Sequence, residues 1–295
     1  TLVFGTRVNG SKNWLSIGGF AFQPSEVTKI LYVMFLSCYF SKAWTNPIGK
    51  IKPKLITLLV TYMFIGFLVL QRDWGTILVL FSIYIFMIYV YDEDYKFLLF
   101  NVASASITAV LGYKFLHHIQ VRVNTWLNPW ADISNTGYQI TQSLFAIASG
   151  GYFGRGIGNG SPTYIPEVQT DFIFAAVCEE MGVFGGAAII ILFFLISYRC
   201  FKIAISTRDP FDKALTFGLT IMFAVQTFII VGGVTKMIPL TGITLPFVSY
   251  GGTSIVVSLG SLGIIQAVSA KDERGRSREE DSEAKHMQGV SDDAE

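Results

Sequence analysis

Apolar residues run along this chain in long blocks separated by short polar segments. A helix needs about 20 largely apolar residues to cross the hydrocarbon core of a bilayer, with roughly 17 as a lower limit. Seven blocks reach that length: 26–44, 55–71, 75–91, 97–116, 171–198, 214–234 and 253–270. Asn101, Ser104, Ser106 and Thr108 dilute the fourth. A long connection, 117–170, separates the fourth block from the fifth, and connections beyond about 15 residues tend to be functional or disordered. This one carries Trp126, Trp130, Tyr138, Phe145, Tyr152, Phe153 and Tyr164, a composition that argues for order. Within it, Ile140, Leu144, Phe145, Ile147 and Ala148 fall at helical spacing, which predicts an interfacial or re-entrant helix over 138–149. A glycine-rich bend follows, GGYFGRGIGNGSP.

Composition narrows the class. Of 295 residues, 52% are hydrophobic and 15% charged, against about 25% charged in soluble domains. A disordered chain, a disulfide-stapled mini-domain and a nucleic-acid binder led by positive charge are excluded. An all-α polytopic membrane protein is left, with a membrane-embedded domain over 1–270. Residues 271–295 hold nine acids and five bases without an apolar period, and are expected to form a charged, disordered tail. Residue 1 is Thr, inside a polar stretch, so a preceding part of the protein is expected to be missing. Cys38, Cys178 and Cys200 lie in or beside apolar segments and form no CxxC or Cys/His cluster, the pattern of free, inert thiols.

Charge sets the orientation. With residue 1 outside, the inward loops 41–54, 92–96 and 199–213 and the tail carry 14 of the 22 Lys and Arg residues. Cytoplasmic loops are enriched in Lys and Arg, so the long loop 117–170 is expected outside and the C-terminus in the cytoplasm.

Ionisable groups inside a span cost roughly 3 kcal/mol near the bilayer centre and mark function by default. Glu26 and Lys29 stand three apart on one helix face, where they form a cavity pair or a structural ion pair near the interface. Ser25 is a candidate helix cap, and Pro24 stops the helix extending backward. Glu179 and Glu180 are adjacent, about 100° apart on their helix, so one faces the interior with Lys29 as a candidate counter-ion. Asp171 stands where its span begins; it either caps that helix or serves as a general base at the membrane surface. The run GRGIGNG follows no strand, which rejects a dinucleotide site. Its amides and Arg155 could either contact a lipid-linked pyrophosphate or form a plain connector. Arg122 and Lys236 are further candidates for that charge. The loop 234–254 combines Pro239, Gly242, Pro246, Gly251 and Gly252 with apolar residues, and is expected to cap an outward-facing cavity.

Four segments then carry a resemblance: RVNGSKNWLSIGGFAFQPSEVTK, WLNPWADISNTGYQITQSLFAIASGGYFGRGIG, TDFIFAAVCEEMG and MIPLTGITLPFVSYGGTS. Together, in order and over residues 7–270, they resemble the SEDS family (shape, elongation, division and sporulation) of RodA- and FtsW-type proteins. Gln169, where the family often has His, and Thr253, where it has Ser, are departures. The resemblance implies a ten-helix glycosyltransferase, of which the seven spans here would be the last seven. It implies polymerisation of lipid II into glycan strands at the outer face of the bacterial cytoplasmic membrane, with a divalent metal (Mg or Mn) whose site the sequence does not assign. A class B penicillin-binding protein is the implied partner. Asp171 matches the family's essential aspartate, and Glu26, Lys29 and Glu180 match polar cavity residues. Trp14, Arg122, Gln139 and Ser249 fall on other motif positions. A lipid-linked precursor flippase and a membrane scaffold of the cell-wall machinery are the alternatives.

Overall fold

The computed structural model describes residues 5–8, 11–17, 20–41, 53–92 and 94–292. The described residues begin with three short antiparallel strands, β1 (Thr6–Val8), β2 (Ser11–Ile17) and β3 (Phe20–Phe22), with β2 in the middle. Among the described residues nine α-helices follow: α1 (Pro24–Phe40), α2 (Pro53–Gln71), α3 (Trp74–Tyr91), α4 (Tyr95–Phe115), α5 (His117–Leu127), α6 (Tyr138–Gly150), α7 (Ile173–Ser206), α8 (Pro210–Val234) and α9 (Gly252–Asp292). Six of the described helices, α2, α3, α4, α7, α8 and α9, are long and apolar enough to cross a membrane. The seventh expected span, α1, has 17 residues and contains Glu26 and Lys29; positions 42–44 of that block lie outside the described residues.

α8 is buried on most of its circumference, as a helix apolar all round must be. Leu219, Met222 and Phe223 of α8 share one core with Val33 and Leu36 of α1 and with Ile83 and Met87 of α3. α7 packs along another side of α8 and buries Phe193 and Cys200 in the same core. The polar residues of α4 do not disqualify it, because they return hydrogen bonds to their own helix: Ser104 donates to the Asn101 carbonyl, Ser106 to Val102 and Thr108 to Ser104. No other residue of α4 is buried as Asn101 is.

Two local expectations fail. Ser25 does not cap α1, which starts at Pro24 with Gln23 before it; the Ser25 hydroxyl donates instead to Asp73 Oδ2 at 3.1 Å. Residues 271–292 are not an extended tail but the continuation of α9. Arg276 pairs with Asp272 one turn back at 2.6 Å and donates to the Ser206 carbonyl, while Lys271 reaches Asp212 at 2.5 Å. Composition suggested a solvated segment. Charges of opposite sign at helical spacing, and acceptors at the α7–α8 turn, hold it helical.

α7 is one long helix broken in the middle. At Gly182 the backbone turns to φ 70°, ψ −169°, which interrupts the helical ladder. The groups released by the break are taken by the glycine-rich segment after α6. Glu179 and Glu180 carbonyls accept from Arg155 N at 2.9 Å and Gly156 N at 3.0 Å, and Val183 N donates to the Gly151 carbonyl at 2.9 Å. An added Cβ at Gly182 would lie 2.3 Å from the Tyr152 carbonyl oxygen, so glycine is required by contact as well as by conformation. Irregular backbone inside a membrane protein is tolerated where such protein partners exist.

Candidate functional site

The loop between α8 and α9 draws most of the bundle together at the end that carries Asp171. Arg122 of α5 donates to the Leu240 carbonyl at 2.9 Å, and Trp126 of the same helix donates to the Lys236 carbonyl at 3.1 Å. Gln226 of α8 donates to the Thr244 carbonyl at 2.9 Å, and the Thr244 hydroxyl donates to Ser254 of α9 at 2.8 Å. Ser249 accepts from Leu245 N at 2.8 Å and donates to the Thr170 carbonyl at 2.5 Å. Tyr250 N completes the join by donating to the Gln169 carbonyl at 2.8 Å.

These bonds bring the loop against Asp171. Gly242 sits at φ 74°, and a Cβ there would be 3.3 Å from Asp171 Oδ2. Asp171 does not cap α7: the helix begins at Ile173, the flanking residue is Phe172, and no side chain caps it. The Asp171 amide donates to the Glu167 carbonyl at 3.2 Å. Burial pushes the Asp171 carboxyl up from its ordinary value to about 6. A hydrogen bond from Thr170 pulls it down, the Glu167 charge raises it and the Arg122 charge lowers it. The result is a half-buried carboxylate whose proton affinity lies near neutrality, the range in which a general base works best.

Behind it lies a buried polar chain. Lys29 is 2% exposed and donates to Glu26 Oε1 at 2.8 Å and to Gln226 Oε1 at 3.1 Å. Gln226 then connects this pair, through Thr244, to the loop that faces Asp171. Asp73, also buried, accepts from Ser25 and from Thr76 N at 3.2 Å, and its charge acts on Arg122. A buried ion pair survives only with such additional hydrogen bonds on its remaining atoms.

The pairing of Lys29 with Glu179 or Glu180 is therefore wrong. Lys29 is occupied by its own helix and by α8. Glu179 is buried at the break in α7, where its Oε1 accepts from Ser161 N at 3.0 Å and lies 3.7 Å from Arg155. Glu180 Oε1 accepts from Gly158 N at 3.2 Å. The glycine-rich run thus spends these amides, and Arg155, on the two glutamates. At about 1.5 Å per residue, Glu179 stands roughly 9 Å along α7 from its first residue, Ile173, and Asp171 precedes that helix. Among the described residues no group of three or more His, Cys, Asp and Glu side chains could hold a metal ion.

Comparison with known proteins decides the family. The family of FtsW/RodA/SpoVE cell cycle proteins matches residues 1–274. The chain belongs to that family. Relatives of this FtsW/RodA/SpoVE protein include the peptidoglycan glycosyltransferase RodA of Mycobacterium tuberculosis, 39% identical over 272 residues. That match takes in 88% of this chain and 58% of the relative, so the chain spans little more than half the relative's length. Among solved structures, a chain of a peptidoglycan synthase complex that coordinates polymerization and crosslinking is similar with a TM-score of 0.77 and 26% identity, over 92% of this chain and 76% of that one. The rod shape determining protein RodA of Thermus thermophilus is similar with a TM-score of 0.65 and 25% identity, over 92% of this chain and 73% of that one. The FtsW/RodA/SpoVE fold, all-α and polytopic, is the fold of this chain, a multi-pass protein of the cytoplasmic membrane.

The family motifs fall unevenly around Asp171. Ser249 bonds the carbonyl of its neighbour Thr170, Arg122 bonds the α8–α9 loop at Leu240, and Glu26 and Lys29 connect to that loop through Gln226. Lys236 stands at the start of the α8–α9 loop, half-buried. Gln139 is half-buried on α6, and Trp14 is half-buried on β2, paired in register with Thr6. Glu180 and Arg155 belong to the α7 break. Sequence reasoning missed Asp73 and Gln226. Asp73 was visible as the lone acid in the three-residue turn between the second and third apolar blocks, and Gln226 as the one amide in the sixth.

Proposed function

We propose that this chain is the catalytic portion of a peptidoglycan glycosyltransferase that polymerises lipid II at the outer face of the membrane. The observation that carries the reading is the Asp171 carboxylate, set beside Arg122 and the α8–α9 loop with its proton affinity raised to about 6. Asp171 takes the proton from the 4-hydroxyl of the acceptor GlcNAc. That oxygen forms a bond to the donor's anomeric carbon, the bond from that carbon to the pyrophosphate breaks, and undecaprenyl pyrophosphate leaves. Arg122, whose charge acts on Asp171, is the cation for the leaving group, while Arg155 is committed to Glu179.

The Lys and Arg bias supports a long loop 117–170 outside the membrane and a cytoplasmic C-terminus. Under this orientation every polar contact around Asp171 lies at the outer end of the bundle, where the glycan must form. Similarity to a chain of a peptidoglycan synthase complex supports a class B penicillin-binding protein as partner. The test is the full-length protein, purified with its partner and given lipid II in detergent. The reading expects glycan polymer on a gel. A folded, partner-bound protein that makes no polymer, yet moves labelled lipid II across proteoliposomes, would replace the polymerase with a flippase.

A further inference from the structure

Two segments far apart in sequence, 169–171 and 240–250, are joined at the residue next to Asp171. Ser249 is 1% exposed, and both hydrogen-bonding roles of its hydroxyl are used. It accepts from Leu245 N at 2.8 Å, which closes a turn of its own loop, and it donates to the Thr170 carbonyl at 2.5 Å. The bond from Tyr250 N to the Gln169 carbonyl makes a second rung beside it. Across the same loop, Gly242 leaves the side of Asp171 Oδ2 uncrowded. α7 starts two residues after Asp171, and within their own segment Thr170 and Asp171 are held by amides donated to the Glu167 carbonyl.

We infer that Ser249 is a positioning residue for Asp171: its hydroxyl fixes the peptide on which the carboxylate is mounted and locks the α8–α9 loop over it. The inference rests on the reading of Asp171 as the general base. A base must hold its heavy atom about 2.6–3.2 Å from the proton it removes, and a displacement of about 1 Å can cost on the order of 10²-fold. Without the Ser249 hydroxyl the Thr170 carbonyl turns to water and the loop lifts. Asp171 then gains hydration, against unchanged charges from Glu167 and Arg122.

The experiment uses the full-length protein in complex with its partner. Rates of lipid II polymerisation are measured from pH 4.5 to 8 for wild type, Ser249→Ala, Ser249→Cys and Asp171→Asn, with melting temperatures for each. Ser249→Ala is expected to lower kcat by about 10- to 100-fold with little change in KM. Its acid limb should move below that of wild type, because a better hydrated carboxylate binds its proton less tightly. Ser249→Cys, which keeps a weak donor, should fall between the two. It also carries the test if the alanine variant does not fold. Wild-type kcat and acid limb in Ser249→Ala, or in Ser249→Cys when the alanine variant does not fold, with Asp171→Asn inactive, overturns the inference and leaves the base intact. Lost kcat with an unmoved acid limb overturns it too, because the serine then serves stability alone. Wild-type rate in Asp171→Asn removes the base, and the inference with it.

Discussion

Replacing Lys29 with Met should destabilise the protein more than replacing Lys29 and Glu26 together. The two side chains are 2% and 5% exposed, and their charges meet at 2.8 Å. At an effective dielectric of about 20, that contact is worth about 6 kcal/mol of Coulomb attraction before desolvation is subtracted. Lys29→Met leaves the Glu26 carboxylate buried without its cation, and removal of one partner of a buried pair costs about 3–5 kcal/mol. Gln226 cannot replace the ammonium, because its amide carries no charge to offset the carboxylate. For a large domain each kcal/mol moves the melting temperature by about 2–4 °C, so the single variant should melt on the order of 10 °C lower. In Glu26→Gln/Lys29→Met no charge is stranded, and most of that loss should return. The assay is thermal unfolding of the detergent-purified protein, for both singles and the double. A Lys29→Met variant melting with wild type, or a double as unstable as the two singles added, would show that no charge is stranded at Glu26.

Three other outcomes follow from the geometry. Because burial raises Asp171 to about 6, and a base acts only when deprotonated, polymerisation should rise with pH through about 6 and level off above it; a rate profile flat from pH 5 to 8 contradicts this. Gly182→Ala should melt well below wild type, by more than the roughly 1 kcal/mol of an ordinary backbone change, since its methyl would meet Tyr152 and Gly154 backbone atoms at φ 70°. Exchanging Lys29 and Glu179 as Lys29→Glu/Glu179→Lys should rescue neither single variant in a melting assay, because the two side chains belong to different networks.

The long-range plan was legible because a bilayer imposes it: apolar blocks of fixed length announced α2, α3, α4, α7, α8 and α9, and the spacing in 138–149 announced α6. Asp171 stood out as a candidate through its motif and its place beside the long loop. The partners of buried charges were not. Spacing put Lys29 and Glu26 on one face, but helix periodicity says nothing about Gln226, 197 residues away. The break in α7 was hidden for a related reason, since a glycine between Met181 and Val183 is ordinary in an apolar helix until another backbone crosses it. The sheet formed by β1, β2 and β3 escaped notice because three strands of three to seven residues carry too little alternation to register.

Asp171 as the general base is tested most directly by polymer formation in Asp171→Asn. Asparagine keeps the shape of aspartate and its place beside Gly242 but cannot accept the acceptor's proton. Wild type and Asp171→Asn, each full-length and partnered, are incubated with lipid II at pH 7.5, and the glycan strands are resolved by gel. Strands are expected from wild type and none from Asp171→Asn at equal folded protein. Strands of equal yield from both would contradict a general-base role for Asp171.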